Sequence, residues 1–166
     1  MKTNIIQRSI ELAWKYHKDQ IRKGDDSPYI IHPIMVATIL AQHGFSDETV
    51  AAGFCHDLLE DTKCSEYEIS KACGEKVLKI VKAVTNDPEL SDIKDWEKKK
   101  LKYIETVRKG PVEAKAVCTA DKIHNVLSTL EFKQQEVIKE FQHFGWKLRR
   151  EEELEFLEKN FNSIKI

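Results

Sequence analysis

The sequence predicts an all-α fold, a compact arrangement of several helices in a single domain. Three observations point there. Apolar residues recur at helical spacing nearly throughout, with no sustained strict alternation of the kind a half-buried strand shows. Turn residues punctuate the chain at intervals that suit short helices. The chain has 166 residues, of which 41% are hydrophobic and 33% charged, enough apolar material for one core. Lys plus Arg total 27 and Asp plus Glu 28, a net charge of −1, so no global basic field invites nucleic acid.

Each element follows from local signals. Ile5, Ile6, Ile10, Ala13, Trp14 and His17 define one stripe, which predicts a helix over 4–19. Residues 20–33 carry Gly24, Asp25, Asp26, Ser27, Pro28 and Pro33, a loop by turn chemistry. A short helix over 33–42 ends near Gly44, and another over 47–61 is capped by Ser46 or Asp47. Ser65-Glu66-Tyr67-Glu68 is a capping box that opens the next helix. Gly74 divides it from a helix ending near Asn86-Asp87-Pro88, and a charged helix covers 92–109. Gly110 stops that helix, and Pro111 suits the first position of one over 111–130. The highly charged stretch 134–160 predicts two helices divided near Gly145.

No apolar run approaches the ~20 residues that span a bilayer. The first residues break their apolar run with Gln7, Arg8 and Glu11 and do not read as a signal peptide. Cys55, Cys64, Cys73 and Cys118 form no Cys-x-x-Cys pair and read as reduced thiols of a cytoplasmic protein. The P-loop, Rossmann, nucleophile-elbow and His-Glu-x-x-His patterns are absent from the sequence.

The chemistry concentrates in three clusters. In His56-Asp57-Leu58-Leu59-Glu60-Asp61, a continuous helix would place an imidazole and three carboxylates within an arc of roughly 140°. Carboxylates gathered behind an apolar segment repel one another unless a cation or a catalytic task compensates. Glu60 and Asp61 would also sit at the unfavourable pole of that helix. In Ala120-Asp121-Lys122-Ile123-His124-Asn125, Asp121 and Asn125 share a face, and taken alone Asp121 reads as a structural partner of Lys122. In Tyr29-Ile30-Ile31-His32-Pro33, His32 alone reads as a core histidine. Read with His56, Asp57 and Asp121, it completes two imidazoles and two carboxylates, a set suited to divalent Mn, Fe, Co or Zn.

His32, His56-Asp57 and Asp121, in that order on helices, resemble the HD-domain metal-dependent phosphohydrolases. Arg22-Lys23 before Pro28-Tyr29-Ile30-Ile31-His32-Pro33, His56-Asp57-Leu58-Leu59-Glu60-Asp61-Thr62 and Ala120-Asp121-Lys122-Ile123-His124-Asn125 resemble the three motifs of the RelA/SpoT-type hydrolases, including the small alarmone hydrolases. The resemblance implies a single HD domain over 1–166, with motifs within 20–130 and charged C-terminal helices over 131–166. It implies His32, His56, Asp57 and Asp121 as ligands of a divalent metal, usually Mn2+, and Glu60 and Asp61 as the acidic catalytic pair. Arg22, Lys23 and Asn125 would meet the nucleotide. The implied reaction is hydrolysis of the 3′-pyrophosphate of guanosine tetra- or pentaphosphate. The partner would then be a small nucleotide, with neither nucleic acid nor membrane involved; the oligomeric state is left open. Cys118 stands where that family commonly has Lys, and Leu127 where it commonly has Arg. Those departures keep two alternatives in view: an HD phosphohydrolase of another nucleotide or phosphorylated dinucleotide, and a non-catalytic nucleotide-binding regulator.

Overall fold

The fold is built around a helix that is buried on all sides beyond its first turn. In this computed structural model, which describes residues 4–22, 26–86 and 96–143, every residue from Thr49 to Cys55 is buried. A helix apolar on all sides belongs inside a protein. Accordingly α3 (Asp47–Cys55) packs against α1 (Ile5–His17), α2 (Ile31–Gln42) and α6 (Glu75–Val84). The short α4 (Leu58–Asp61) follows α3, and α5 (Glu66–Cys73) packs on both α1 and α6. Next come α7 (Trp96–Lys109), which meets α6, and α8 (Val112–His143). The described residues form helices and loops, with one isolated antiparallel bridge between Ile21 and Pro28.

The caps explain where the helices start. The Asn4 side chain accepts from the Gln7 N–H at 2.8 Å and opens α1. Ser65 and Glu68 cap each other as the capping box requires. Gly74 has φ of +92° between α5 and α6, a conformation that suits a residue without Cβ. Pro33 lies in the first turn of α2, where its missing N–H has no intrahelical acceptor to satisfy.

Three expectations need correction. The stripe of α1 that faces the core is Ser9, Leu12, Ala13 and His17, whereas Ile10 and Trp14 are 42% and 55% exposed. Ser9 tolerates burial because its hydroxyl donates to the Ile6 carbonyl at 2.7 Å. The helix expected over 47–61 breaks at His56-Asp57 into α3 and α4. The His56 ring Nδ1 lies 2.8 Å from the Gly53 carbonyl and occupies the acceptor that would carry the helix onward. Glu60 and Asp61 therefore belong to the first turn of a separate short helix, not to the far end of a long one. Finally, α8 runs without interruption through 131–133, where the sequence suggested a break; its length supplies helical residues on both sides of that stretch. The proposed division near Gly145 lies outside the described residues.

The chain divides into two units, Met1–Ser128 and Thr129–Ile166. The first holds the core and all the candidate residues. In the second, the described part is the stretch of α8 from Thr129.

Gly53 faces α2 at close range. A Cβ there would stand 2.8 Å from Leu40 Cδ1 and 3.1 Å from the Ala37 Cα. Backbone cannot swing aside as a side chain can, so Gly53→Ala forces the helices apart. The expected loss is about 1–3 kcal/mol of stability, measured by denaturant unfolding; an unchanged midpoint would show that α2 moves freely.

Candidate metal centre

Two kinds of local structure deliver the site. His32 is held by the first turn of α2, where its N–H donates to the Tyr29 carbonyl at 2.9 Å. His56 caps α3, and Asp57 caps α4. The break between those helices lets adjacent residues point at one place. Because His56 Nδ1 is committed to the Gly53 carbonyl, its Nε2 is the nitrogen presented to the site. Asp121 comes from α8, behind a small-residue surface of Ala114, Val117 and Ala120 that lets the helix approach closely.

These side chains converge. His32 Nε2 lies 3.2 Å from His56 Nε2, 3.4 Å from Asp57 Oδ2 and 3.2 Å from Asp121 Oδ1. His56 Nε2 lies 3.1 Å from Asp57 Oδ2 and 3.9 Å from Asp121 Oδ1. Two donors held at ~2.1 Å from one ion stand about 3.0 Å apart at a right angle and about 3.4 Å apart at the tetrahedral angle. The separations among His32, His56 and Asp57 and that from His32 to Asp121 match that requirement, while His56 and Asp121 stand wider at 3.9 Å. His32, His56 and Asp57 thus fit a divalent ion that accepts mixed nitrogen and oxygen ligands, with Asp121 beside them. The group whose donor atoms all lie within 4.8 Å of one another is His32, His56 and Asp57, and Asp121 adjoins it through His32. Asp121 also pairs with Lys122 at 2.7 Å, so the structural contact and the place in the cluster coexist.

The electrostatics follow from the crowding. Burial alone would lower the imidazole of His32, but hydrogen bonds to Asp121 and Asp57 outweigh it and raise the value above the ordinary one. His56 behaves alike: burial opposes its charge, and Asp57 above all restores it. Burial pushes the Asp57 carboxyl up, yet His56, His32 and the Tyr29 hydroxyl together hold it well below the usual range. Asp121 is held down at about 2 by His32, Lys122 and His56 against its own burial. Asp61 goes the other way, raised by burial and by the charge of Asp57.

A pocket of about 230 Å3 opens beside the cluster. Arg22, Glu60, Lys122 and Asn125 line it with the four cluster residues. The Glu60 carboxylate accepts from the Asn86 side chain at 2.8 and 3.0 Å, which fixes it at the rim. Asp61 is not among the lining residues; its Oδ2 lies 3.1 Å from the Tyr29 hydroxyl. Arg22 donates to Asn125 Oδ1 and Ser128 Oγ, both at 3.1 Å, and Asn125 in turn donates to Asp121 Oδ1 at 2.6 Å. Arg22 and Asn125 thus both brace the helix that carries Asp121. Lys23 lies outside the described residues.

Sequence reasoning assigned no role to Tyr29, His124 or Tyr103. The buried His124 places its Nδ1 2.8 Å from His32 Nδ1, fixing the ring that offers Nε2 to the site. Its signal was present as the histidine inside Ala120-Asp121-Lys122-Ile123-His124-Asn125. Tyr103 lines the pocket from α7, with its hydroxyl 3.6 Å from Cys118 Sγ. No sequence pattern linked α7 to that cysteine.

The fold and the cluster define a helical domain whose cavity wall carries paired histidines and aspartates. The HD domain family model matches residues 9–144, and the chain belongs to that family. A guanosine-3′,5′-bis(diphosphate) 3′-pyrophosphohydrolase from Aquifex aeolicus is 48% identical over 80 residues, 48% of this chain and 11% of that protein. A GTP pyrophosphokinase from Streptomyces coelicolor is 35% identical over 127 residues, 73% of this chain and 14% of that one. This chain therefore spans a small fraction of those relatives. A solved metazoan orthologue of SpoT, described as hydrolysing ppGpp, superposes with a TM-score of 0.66 at 30% identity, covering 75% of this chain and 70% of that one.

Metal uptake should depend on pH in a direction the imidazoles set. Their folded values are raised, so without a metal they carry protons that stabilise the fold below the ordinary imidazole pKa of about 6.5 and lose that effect as pH rises through the raised values. Binding a metal must displace those protons. Manganese affinity should climb about tenfold per pH unit for each proton displaced, with proton release seen by calorimetry in buffers of different ionisation enthalpy. Affinity that stays flat between about pH 6 and about pH 8 would contradict the raised imidazoles.

Proposed function

We propose that this chain is a metal-dependent phosphohydrolase that releases pyrophosphate from the 3′ position of guanosine tetra- or pentaphosphate. The observation that carries this reading is the convergence of His32, His56, Asp57 and Asp121 on one wall of a pocket that also presents Arg22, Lys122 and Glu60. The named activities of the Aquifex protein and of the metazoan SpoT orthologue support it. Manganese is the metal we assign, and the cytoplasm the compartment. Free thiols at Cys55, Cys64, Cys73 and Cys118 suit a reducing environment. No described helix is long and apolar enough to cross a membrane. The near-neutral chain and the acidic site wall argue for a small nucleotide rather than a nucleic acid as partner.

His32, His56, Asp57 and Asp121 would hold the ion. When bound, a divalent ion there neutralises phosphate charge and lowers the pKa of its water. The remaining steps fall to the chain. Arg22 offers a planar guanidinium that can bind phosphate through two N–H groups or lie against a base. Lys122, paired with Asp121 at 2.7 Å, adds positive charge at the pocket wall. Asn125 would bound the sugar region while fixing Asp121 Oδ1. Lys23, which lies outside the described residues, is proposed to join Arg22 at the nucleotide. Asp61, with its proton affinity raised by burial and by Asp57, suits the group that takes a proton from the attacking water. Glu60, anchored by Asn86 at the rim, suits proton delivery to the leaving side. The catalytic unit we propose is one HD domain.

A second reading is favoured by one observation. Where the resembled family commonly carries Lys, Cys118 instead lies behind the pocket-lining Tyr103, 3.6 Å from its hydroxyl, and adds no cation there. A different phosphorylated nucleotide or dinucleotide would then be the substrate of the same centre.

The test is hydrolysis of guanosine tetraphosphate with manganese, the products separated by anion exchange. We expect GDP and pyrophosphate from the wild type and none from Asp57→Ala. Glu60→Gln and Asp61→Asn should keep their metal yet lose roughly 10²–10⁴-fold in rate. Full activity in both acidic variants would remove them from the mechanism, and a metal-loaded wild type without turnover would favour the second reading.

A further inference from the structure

Tyr29 stands between two carboxylates that should repel. Its hydroxyl lies 2.6 Å from Asp57 Oδ2 and 3.1 Å from Asp61 Oδ2. The Asp57 oxygen it touches is the one that faces both imidazoles, at 3.1 Å from His56 and 3.4 Å from His32. Among the described residues, Tyr29 is the donor that reaches the Asp61 carboxylate. We propose that Tyr29 is a positioning residue, holding the exposed Asp61 carboxylate beside the metal-side oxygen of Asp57. The proposal rests on the metal-dependent phosphohydrolase reading given above.

The surroundings fix the hydroxyl firmly enough for that task. The Tyr29 N–H donates to the Gln20 carbonyl at 2.8 Å, closing the loop that the Ile21–Pro28 bridge begins. The ring lies 5.0 Å from the buried His17 ring and meets His32 edge-on at 5.8 Å. Gln20 also donates its side-chain N–H to the Asp61 carbonyl at 2.9 Å, so one residue ties the loop to the helix turn that carries Asp61. The chemistry gives the arrangement a direction. A phenol has one proton for two acceptors. With a cation held at Asp57, that carboxylate would become the weaker acceptor and the hydroxyl proton would favour Asp61. The Asp61 carboxylate, otherwise free to rotate into water, would then be kept beside Asp57.

Tyr29→Phe removes the hydroxyl and keeps the ring between His17 and His32. At saturating manganese and guanosine tetraphosphate we expect kcat to fall about 10- to 100-fold with KM within about threefold. Tyr29→Phe combined with Asp61→Asn should be no slower than Asp61→Asn alone, since both would remove one function. Crystals of the manganese-loaded variant should show the Asp61 carboxylate turned away from Asp57. An unchanged kcat, losses that multiply in the double variant, or an Asp61 carboxylate in its wild-type place would overturn the proposal. If the wild type does not hydrolyse the nucleotide, the functional reading fails, and the crystallographic comparison still decides the role of Tyr29. If Tyr29→Phe does not fold, the manganese-loaded wild type decides it: a hydroxyl more than about 3.5 Å from Asp61 would contradict the clamp.

Discussion

The structure depends on the mutual approach of four donor atoms, His32 Nε2, His56 Nε2, Asp57 Oδ2 and Asp121 Oδ1, in a region largely shut from water. Such a group is costly to assemble unless positive charge sits among the carboxylates. The raised imidazoles and the depressed Asp57 and Asp121 show that protons can serve that purpose. A divalent ion held there would supply that positive charge as well. The rest of the fold can be understood as what holds these atoms together against their tendency to separate.

That support is layered. The buried α3 ends at His56, whose ring is pinned by the Gly53 carbonyl, and the same glycine lets α2 bring His32 alongside. The small residues of α8 admit Asp121. Around them, His124 aligns His32, while Asn125 and Arg22 brace Asp121. An outer set of hydrogen bonds of this kind orients metal ligands and sets their basicity. Arg22 thereby lines the pocket while tied to the helix that carries Asp121.

Much of this was legible in the sequence because short-range signals specified it. The capping box at Ser65 and Glu68 and the grouping of His32, His56, Asp57 and Asp121 each followed from residue type and spacing, whereas the loop expected over 20–33 gives way to α2 already at Ile31. Other features depended on side-chain geometry that spacing does not encode. The break at His56-Asp57 arises from an imidazole bonding backwards to Gly53. The core stripe of α1 includes Ser9 because a local hydroxyl bond makes a serine acceptable there, at the expense of Ile10 and Trp14. The link from Tyr29 to Asp57 and Asp61 spans 28 and 32 residues of sequence, and nothing local announces it.

The most direct test of the account is the stoichiometry and affinity of manganese binding, followed by calorimetry and elemental analysis on the wild type and on His32→Ala, His56→Ala, Asp57→Ala and Asp121→Ala. The account predicts one ion per chain in the wild type and a loss of at least about tenfold in affinity in each of the four variants. Wild-type affinity retained in His56→Ala and Asp121→Ala, with both proteins folded, would contradict the shared centre on which the rest is built.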